Sequence, residues 1–173
     1  MTFSDISHFS NTADYLPILN GAILTDLFVI FLVIQKQIKS PALHEWYHSY
    51  GISGVLADVL SIVIGIIITR FIYPFFFDKF NILFFLTLAV IVQCIHDLIF
   101  AQLFYGIPKG KSRILDTFKR YADESGILIL LADAGMMIMA SLLASLFVSL
   151  GQNANIILFI VLLYLVPYFL YSL

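Results

Sequence analysis

Four aspartates lie inside long apolar stretches of this 173-residue chain, one in each of four stretches: Asp26, Asp58, Asp97 and Asp133. A carboxylate in the hydrocarbon layer of a bilayer costs a few kcal/mol or more unless it carries a proton, has a partner or faces a polar cavity. Ionisable side chains in such segments often mark ion pathways and proton relays. The four aspartates are therefore the first residues in this sequence that could do chemistry.

The four aspartates are predicted to share one depth in the membrane. The interval to the nearer end of the stretch is 8 residues for Asp26 and 7 residues for Asp58, Asp97 and Asp133. At a rise of 1.5 Å per residue this is about 11 Å, roughly a third of a ~30 Å hydrocarbon layer. We therefore expect a single acidic layer, with His96 beside Asp97.

Carboxylates this close cannot all remain ionised in a low-dielectric layer, because desolvation and mutual repulsion both favour protonation. Either they share protons, or the four aspartates and His96 bind a cation. Oxygen ligands suit divalent cations such as Ca²⁺, Mg²⁺ or Mn²⁺, and one imidazole would extend the choice to a transition metal. The structural alternative is a set of protonated aspartates that hydrogen-bond Gln93, Ser61, Thr25 and backbone carbonyls between helices.

A second pattern, His44, Glu45 and His48, matches the HExxH signature of zinc hydrolases. Residues i and i+4 share a helix face, so two imidazoles can bind one zinc while the intervening glutamate activates a bound water. Such a site needs a third ligand. Asp97 or Asp133 could supply it only if this helix dipped about 11 Å toward the acidic layer.

The same stretch also fits a structural role. Trp46, Tyr47 and Tyr50 precede an apolar stretch directly, where amphipathic aromatic side chains belong at a membrane surface. Ser40 and Pro41 provide an N-cap and a first-turn residue, which predicts a short helix beginning there. The residues leave both interpretations open.

The elements that position these residues are predicted by composition and apolar runs. The chain is 61% hydrophobic and 12% charged, with a mean hydropathy of +1.01, as in integral membrane proteins. The expected spans are Tyr15 to Ile34, Gly51 to Tyr73, Phe80 to Phe104, Gly126 to Leu150 and Ala154 to Leu173. We expect an all-α polytopic bundle over residues 15–173, with the fifth span peripheral, after an exposed N-terminal segment 1–14.

The basic residues predict the orientation of this bundle, because Lys and Arg near span ends stay on the cytoplasmic side. The loops after the first and third spans hold seven of them: Lys36, Lys39, Lys109, Lys111, Arg113, Lys119 and Arg120. The opposite face holds Arg70 and Lys79. The N-terminus is therefore placed outside and the two basic loops inside.

Residues 106–125 contain apolar positions that alternate with charged ones at helical spacing, which predicts a short helix on the membrane surface. Its basic side chains would meet anionic lipid or a protein partner, and the sequence does not separate the two. The run Gly106 to Ser112 lacks the Walker spacing and any βαβ context, which excludes nucleotide binding; no nucleic acid partner is expected either. The bundle could also form an oligomer.

The second and fourth spans also echo each other. Ser53-Gly54 leads to Ala57-Asp58, and Ser125-Gly126 leads to Ala132-Asp133. Such similarity is typical of duplicated helical hairpins in transporters, although the limited alphabet of membrane helices produces it as well.

Several motifs resemble a group of small multi-span membrane proteins encoded by large DNA viruses of algae and protists. The motifs, within residues 46 to 145, are Trp46-Tyr47 through Tyr50-Gly51, Ala57-Asp58-Val59-Leu60 with Ile64-Gly65-Ile66-Ile67, His96-Asp97, Ile107-Pro108-Lys109-Gly110 and Leu115-Asp116-Thr117-Phe118-Lys119. The resemblance implies a host or virion membrane and no catalytic residue. It also assigns most of the HExxH match to a variable flank.

Three functions remain after these observations. The first, which we favour, is binding of protons or a cation in the acidic layer, serving ion transport or conduction. The second is a non-catalytic structural or assembly role in a viral or internal membrane, with the basic loop docking a partner. The third is a membrane-embedded zinc hydrolase.

Overall fold

The computed structural model of the protein describes residues 3–173, which form helices and no strand. The helices are α1 (Tyr15–Ile34), α2 (Pro41–Tyr50), α3 (Ile52–Ile72), α4 (Ile82–Tyr105), α5 (Arg113–Ser125), α6 (Ile127–Val148) and α7 (Gln152–Leu170). Five of them, α1, α3, α4, α6 and α7, are long and apolar enough to cross a membrane. The expected all-α polytopic bundle with five spans and a short helix after the third is therefore confirmed.

The two short helices, α2 and α5, begin and end in the same way. Ser40 caps α2 by accepting a hydrogen bond from the backbone N–H of Leu43, and Ser112 caps α5 in the same manner. Each helix then runs into a span through a glycine with positive φ, Gly51 at 50° and Gly126 at 55°. Residues other than glycine rarely adopt this backbone conformation, so glycine permits the sharp change of direction between helix and span.

The first six helices form two units with the same order of elements, α1–α2–α3 and α4–α5–α6. An aspartate lies 8 residues before the end of each unit's first span, Asp26 in one and Asp97 in the other. A second aspartate, Asp58 or Asp133, lies 7 residues after the positive-φ glycine. The packing also follows this repeat. Helix α1 of the first unit contacts α6 of the second, and the equivalent helices α4 and α3 contact each other in the same way. The two short helices, α2 and α5, also contact each other.

This repeat agrees with the similarity of the second and fourth spans but changes its register. The sequence echo pairs Gly54 with Gly126, whereas the shared backbone conformation pairs Gly51 with Gly126. Gly54 instead lies against the Trp46 side chain, where an added Cβ would be 3.2 Å from the indole nitrogen. Gly51 and Gly54 of the first unit therefore have different roles: Gly51 forms the turn, and Gly54 allows close packing against Trp46.

The first span is the most buried of the five and the fifth is the least, as expected for a peripheral helix. At Gly21 the backbone of α1 lies directly against that of α6, and a Cβ there would be 2.6 Å from the carbonyl oxygen of Ala140. On another side of α1, Asn20 donates hydrogen bonds to the backbone oxygen and side-chain oxygen of Asn155 in α7, at 2.9 and 3.1 Å. Small and amide side chains thus hold α1 between α6 and α7.

The segment before α1 differs from the expected exposed segment 1–14, because part of its described portion is packed into the bundle. Ile6 is fully buried, and Ser145 of α6 donates a hydrogen bond to the carbonyl of Ser4. Arg70 of α3, also fully buried, donates to Asp14 at 2.9 Å and to two carbonyls of the segment. A buried guanidinium needs acceptors, and this segment supplies three of them to the Nη2 atom of Arg70.

Candidate functional site

A cavity of about 1330 Å³ lies between the two units, at the end of the bundle that carries α2 and α5. Residues of all helices except α7 line it, and most of the wall is apolar. Its polar lining includes the carboxyl groups of Asp58, Asp97 and Asp133 together with His96 and Gln93. The structure therefore brings three of the four predicted aspartates and the predicted histidine to one cavity.

The two aspartates of the first unit receive hydrogen bonds from α2. Tyr47 donates its hydroxyl to Asp26 at 2.8 Å, and Trp46 donates its indole N–H to Asp58 at 2.9 Å. The Asp26 and Asp58 side chains also face each other within hydrogen-bonding reach. Asp26 is completely buried and does not line the cavity. One oxygen of each carboxyl group therefore has a donor from α2, whereas the Oδ2 atom of Asp26 has no partner within residues 3–173.

The two aspartates of the second unit have fewer donors. Gln93 donates to Asp97 at 2.7 Å, as the sequence predicted, and the Nδ1 atom of His96 lies 3.2 Å from the same carboxyl oxygen. Within residues 3–173 the other oxygen of Asp97 has no partner, and no side chain donates a hydrogen bond to Asp133. Thr25, another predicted partner, bonds the carbonyl of Gly21 instead.

The structure does not gather the acidic layer into a metal site. Among residues 3–173, no group of three or more His, Cys, Asp and Glu side chains is arranged to hold one ion. The predicted cluster of four aspartates with His96 is therefore not arranged as a single metal site among these residues, and its proton-binding form stays a prediction. The physical reason is that Trp46 and Tyr47 occupy oxygens of the first pair, while Gln93 and His96 on α4 occupy one oxygen of Asp97.

The HExxH residues lie on the side of α2 that faces away from the cavity. His44 and His48 are exposed, with stacked rings whose centroids are 5.8 Å apart. Glu45 accepts a hydrogen bond from Arg120 at 2.6 Å, and this contact lowers the pKa of Glu45 below its ordinary value of 4.5. Asp97 and Asp133 line the cavity on the other side, so neither reaches this face. The third zinc ligand proposed from the sequence is not supplied, and Glu45 is held as an ion-pair partner.

Helices α2 and α5 pack together across one end of the cavity. The rings of Trp46 and Phe118 are 4.5 Å apart, and the hydroxyl groups of Tyr50 and Thr117 are 3.0 Å apart. Burial, together with the nearby charge of Asp133, raises the pKa of Tyr121 to about 12. The surface helix predicted for residues 106–125 therefore has one face that packs against α2 and lines the cavity.

The sequence did not identify Trp46 and Tyr47 as partners of the acidic layer, because both also fit an interfacial aromatic belt. A signal was present in the spacing of Leu43, Trp46, Tyr47 and Tyr50 at i, i+3, i+4 and i+7, which predicts one packed helix face. The resulting site can hold protons and can accept hydrogen bonds from a donor in the cavity. No protein-family model, curated protein or solved structure matches this chain.

Proposed function

We propose that this integral membrane protein binds protons or a monovalent cation in its acidic layer and transfers them across the membrane. The observation that carries the proposal is the cavity, onto which Asp58, Asp97 and Asp133 open from both units. The basic side chain on its wall, among residues 3–173, is Lys39 in the loop before α2. The cavity therefore carries an excess of acidic groups, as a cation site requires.

Proton binding follows from the contact between the first pair of carboxyl groups. Asp26 is fully buried and lies within hydrogen-bonding reach of Asp58, and two ionised carboxylates in such a place would repel strongly. A shared proton removes that repulsion and forms a hydrogen bond between them. Asp97 and Asp133, which face the cavity, are the groups that exchange protons with it.

The architecture supports a transport role. Parallel repeats related by an axis along the membrane normal occur in several transporter folds, with the site at the interface between repeats. The two units of this chain run in the same direction and enclose the acidic cavity between them. With the orientation predicted from the basic residues, α2 and α5 would lie at the cytoplasmic end, in a host or virion membrane.

Proton flux into liposomes tests this function. We expect reconstituted protein to acidify or alkalinise the lumen, reported by an enclosed pH-sensitive dye, when a potassium diffusion potential is imposed. The double variant Asp97→Asn/Asp133→Asn should lose this flux, whereas Asp78→Asn, which changes an exposed residue outside the cavity, should retain it. Flux equal to wild type in the double variant would refute the proposed role of the layer.

A non-catalytic assembly role is favoured by one observation on the basic loop. Lys109 and Lys111 are exposed beside α5, so a partner or an anionic membrane surface could engage them without disturbing the α2 contact. Cross-linking from residues 106–125 in the native membrane tests this role, and a failure to capture a protein neighbour there counts against it.

A further inference from the structure

The charged residues between α4 and α6 fall into two sets. Every charged side chain of residues 116–125 has a hydrogen-bond partner in the described chain: Asp116 with Gly110, Lys119 with Ile107, Arg120 with Glu45, Asp123 with Tyr105 and Glu124 with Ala42. Lys109, Lys111 and Arg113 are exposed instead, and none of them forms an ion pair within residues 3–173. These three residues, here called the basic turn, are therefore available to an outside partner.

The basic turn is held against α5 by two contacts. Gly110, which has a φ of 87°, donates its backbone N–H to Asp116 at 2.8 Å, and Lys119 donates to the carbonyl of Ile107. The first contact also holds the carboxylate of Asp116 against the backbone. Residues 106–115 contain no acidic side chain. The exposed surface of the turn therefore presents charge of one sign, which suits an anionic partner.

The neighbouring spans place the basic turn at the level of lipid head groups. Helix α4 ends at Tyr105, a few residues before Lys109, and α6 begins at Ile127. Leu103 and Ile127 are 61% and 74% exposed, as expected of side chains that meet acyl chains in a membrane. A basic side chain this close to the end of a span lies in the head-group region, where anionic lipids attract it.

The exposed side of the turn and of α5 lacks the features of a protein interface. The centre of such an interface is depleted in charged residues and contains large aromatic anchors. Within the described chain, no large apolar side chain between Ile107 and Ile127 is exposed, and Ile114 and Phe118 pack against the core. Clustered positive charge without an apolar anchor favours a layer of phosphate groups over a protein surface.

We propose that the basic turn binds an anionic phospholipid. The guanidinium of Arg113 pairs with phosphate oxygens, and Lys109 and Lys111 add positive charge around the head group. The acyl chains lie along the exposed apolar surface of the neighbouring spans. This inference goes beyond proton transfer, and it assigns the basic loop to lipid instead of a protein partner.

Native mass spectrometry provides the assay, because it resolves each lipid bound to an intact membrane protein. Protein in an uncharged detergent is titrated with phosphatidylglycerol and, separately, with phosphatidylcholine that has the same acyl chains. We expect the dissociation constant of phosphatidylglycerol to be about tenfold or more below that of phosphatidylcholine. Raising ammonium acetate from about 0.1 M to about 1 M should reduce this difference, since the added salt screens the charges.

Two variants and a matched control locate the lipid. Lys111→Gln should raise the dissociation constant of phosphatidylglycerol about fivefold, as expected for one basic side chain near an anionic surface. Lys109→Gln/Lys111→Gln/Arg113→Gln should remove most of the preference over phosphatidylcholine. Lys79→Gln is the matched control, because Lys79 is exposed in the loop between α3 and α4, at the other end of the bundle, and it should leave the constant unchanged. Helical circular dichroism equal to wild type establishes that each variant is folded.

Three outcomes overturn the lipid assignment: equal dissociation constants for the two lipids, a preference that survives in the folded triple variant, or equal effects of Lys111→Gln and Lys79→Gln. If residues 106–125 then cross-link to a protein in the native membrane, the assembly role takes this surface instead. Proton flux tests the transport role separately, because the flux variants and the basic turn share no residue.

Discussion

The close approach of α1 and α6 at Gly21 allows a sharp test of the packing. The substitution Gly21→Ala adds one methyl group where an ideal Cβ would lie 2.6 Å from the oxygen of Ala140 and 3.0 Å from the nitrogen of Ala144. Both are backbone atoms, which cannot rotate away as a side chain can. The two helices must therefore separate, by about 0.8 Å, to restore an ordinary 3.4 Å contact.

The magnitude follows from two opposing effects. Adding a methyl group to a filled contact costs about 1–3 kcal/mol, and replacing glycine by alanine in a helix returns about 1 kcal/mol. We expect Gly21→Ala to lower the free energy of unfolding by about 0–2 kcal/mol. Gly135→Ala in α6 is the matched control, because no atom lies within 4 Å of its added Cβ. The difference between the two variants isolates the clash, at about 1–3 kcal/mol.

Reversible unfolding in mixed micelles measures this difference. The mole fraction of denaturing detergent is raised while circular dichroism reports the helical content, and free energies are extrapolated for wild type and both variants. Gly135→Ala should be as stable as wild type or more stable. Free energies for the two variants within about 0.5 kcal/mol of each other would contradict the helix contact described here.

Two further predictions concern the contacts of α2. Tyr47→Phe removes the donor to the fully buried Asp26, which should lower the free energy of unfolding by about 1–3 kcal/mol in the same detergent titration; a neutral result would mean that Asp26 does not depend on this hydroxyl. The second prediction is a pH dependence. Because Arg120 lowers the pKa of Glu45 below 4.5, their contact contributes fully above pH 4.5 and is lost as the pH falls through the lower folded-state value. Tryptophan emission should therefore shift on acidification below pH 4.5 in wild type and should lack that component in Glu45→Gln, and identical titrations would argue against this ion pair.

Much of the fold could be predicted from local sequence. The first expected span, Tyr15–Ile34, coincides with α1, and the other spans agree to within a few residues. A helix that crosses a bilayer must be long and apolar, since every backbone polar group has to be satisfied within it, so composition over about 20 residues is sufficient. Caps and glycines carry similar local information, and Ser40 and Pro41 indeed begin α2.

The arrangement of the site could not be predicted in the same way. The predicted common depth of the aspartates uses only local information, because a constant rise per residue converts spacing into height. Which atoms meet at that depth depends on helix rotation and on how α2 folds back. The sequence therefore predicted one cluster of five residues for protons or a cation, and it did not predict that Trp46 and Tyr47 donate hydrogen bonds to Asp58 and Asp26. The amide pair Asn20 and Asn155, 135 residues apart, was equally inaccessible.

By itself, the sequence predicted a helical membrane protein, the ends of its five spans to within a few residues, and a similar spacing of four aspartates from those ends. Those properties follow from the one-dimensional distribution of apolar and charged residues along the chain. Only the tertiary structure decided that two units enclose a cavity, that α2 donates a hydrogen bond to each aspartate of the first unit and that Asp58, Asp97 and Asp133 line the cavity. Contacts between distant helices set these features, because side-chain hydrogen bonds depend on relative rotation and close approach, which spacing along one helix does not encode.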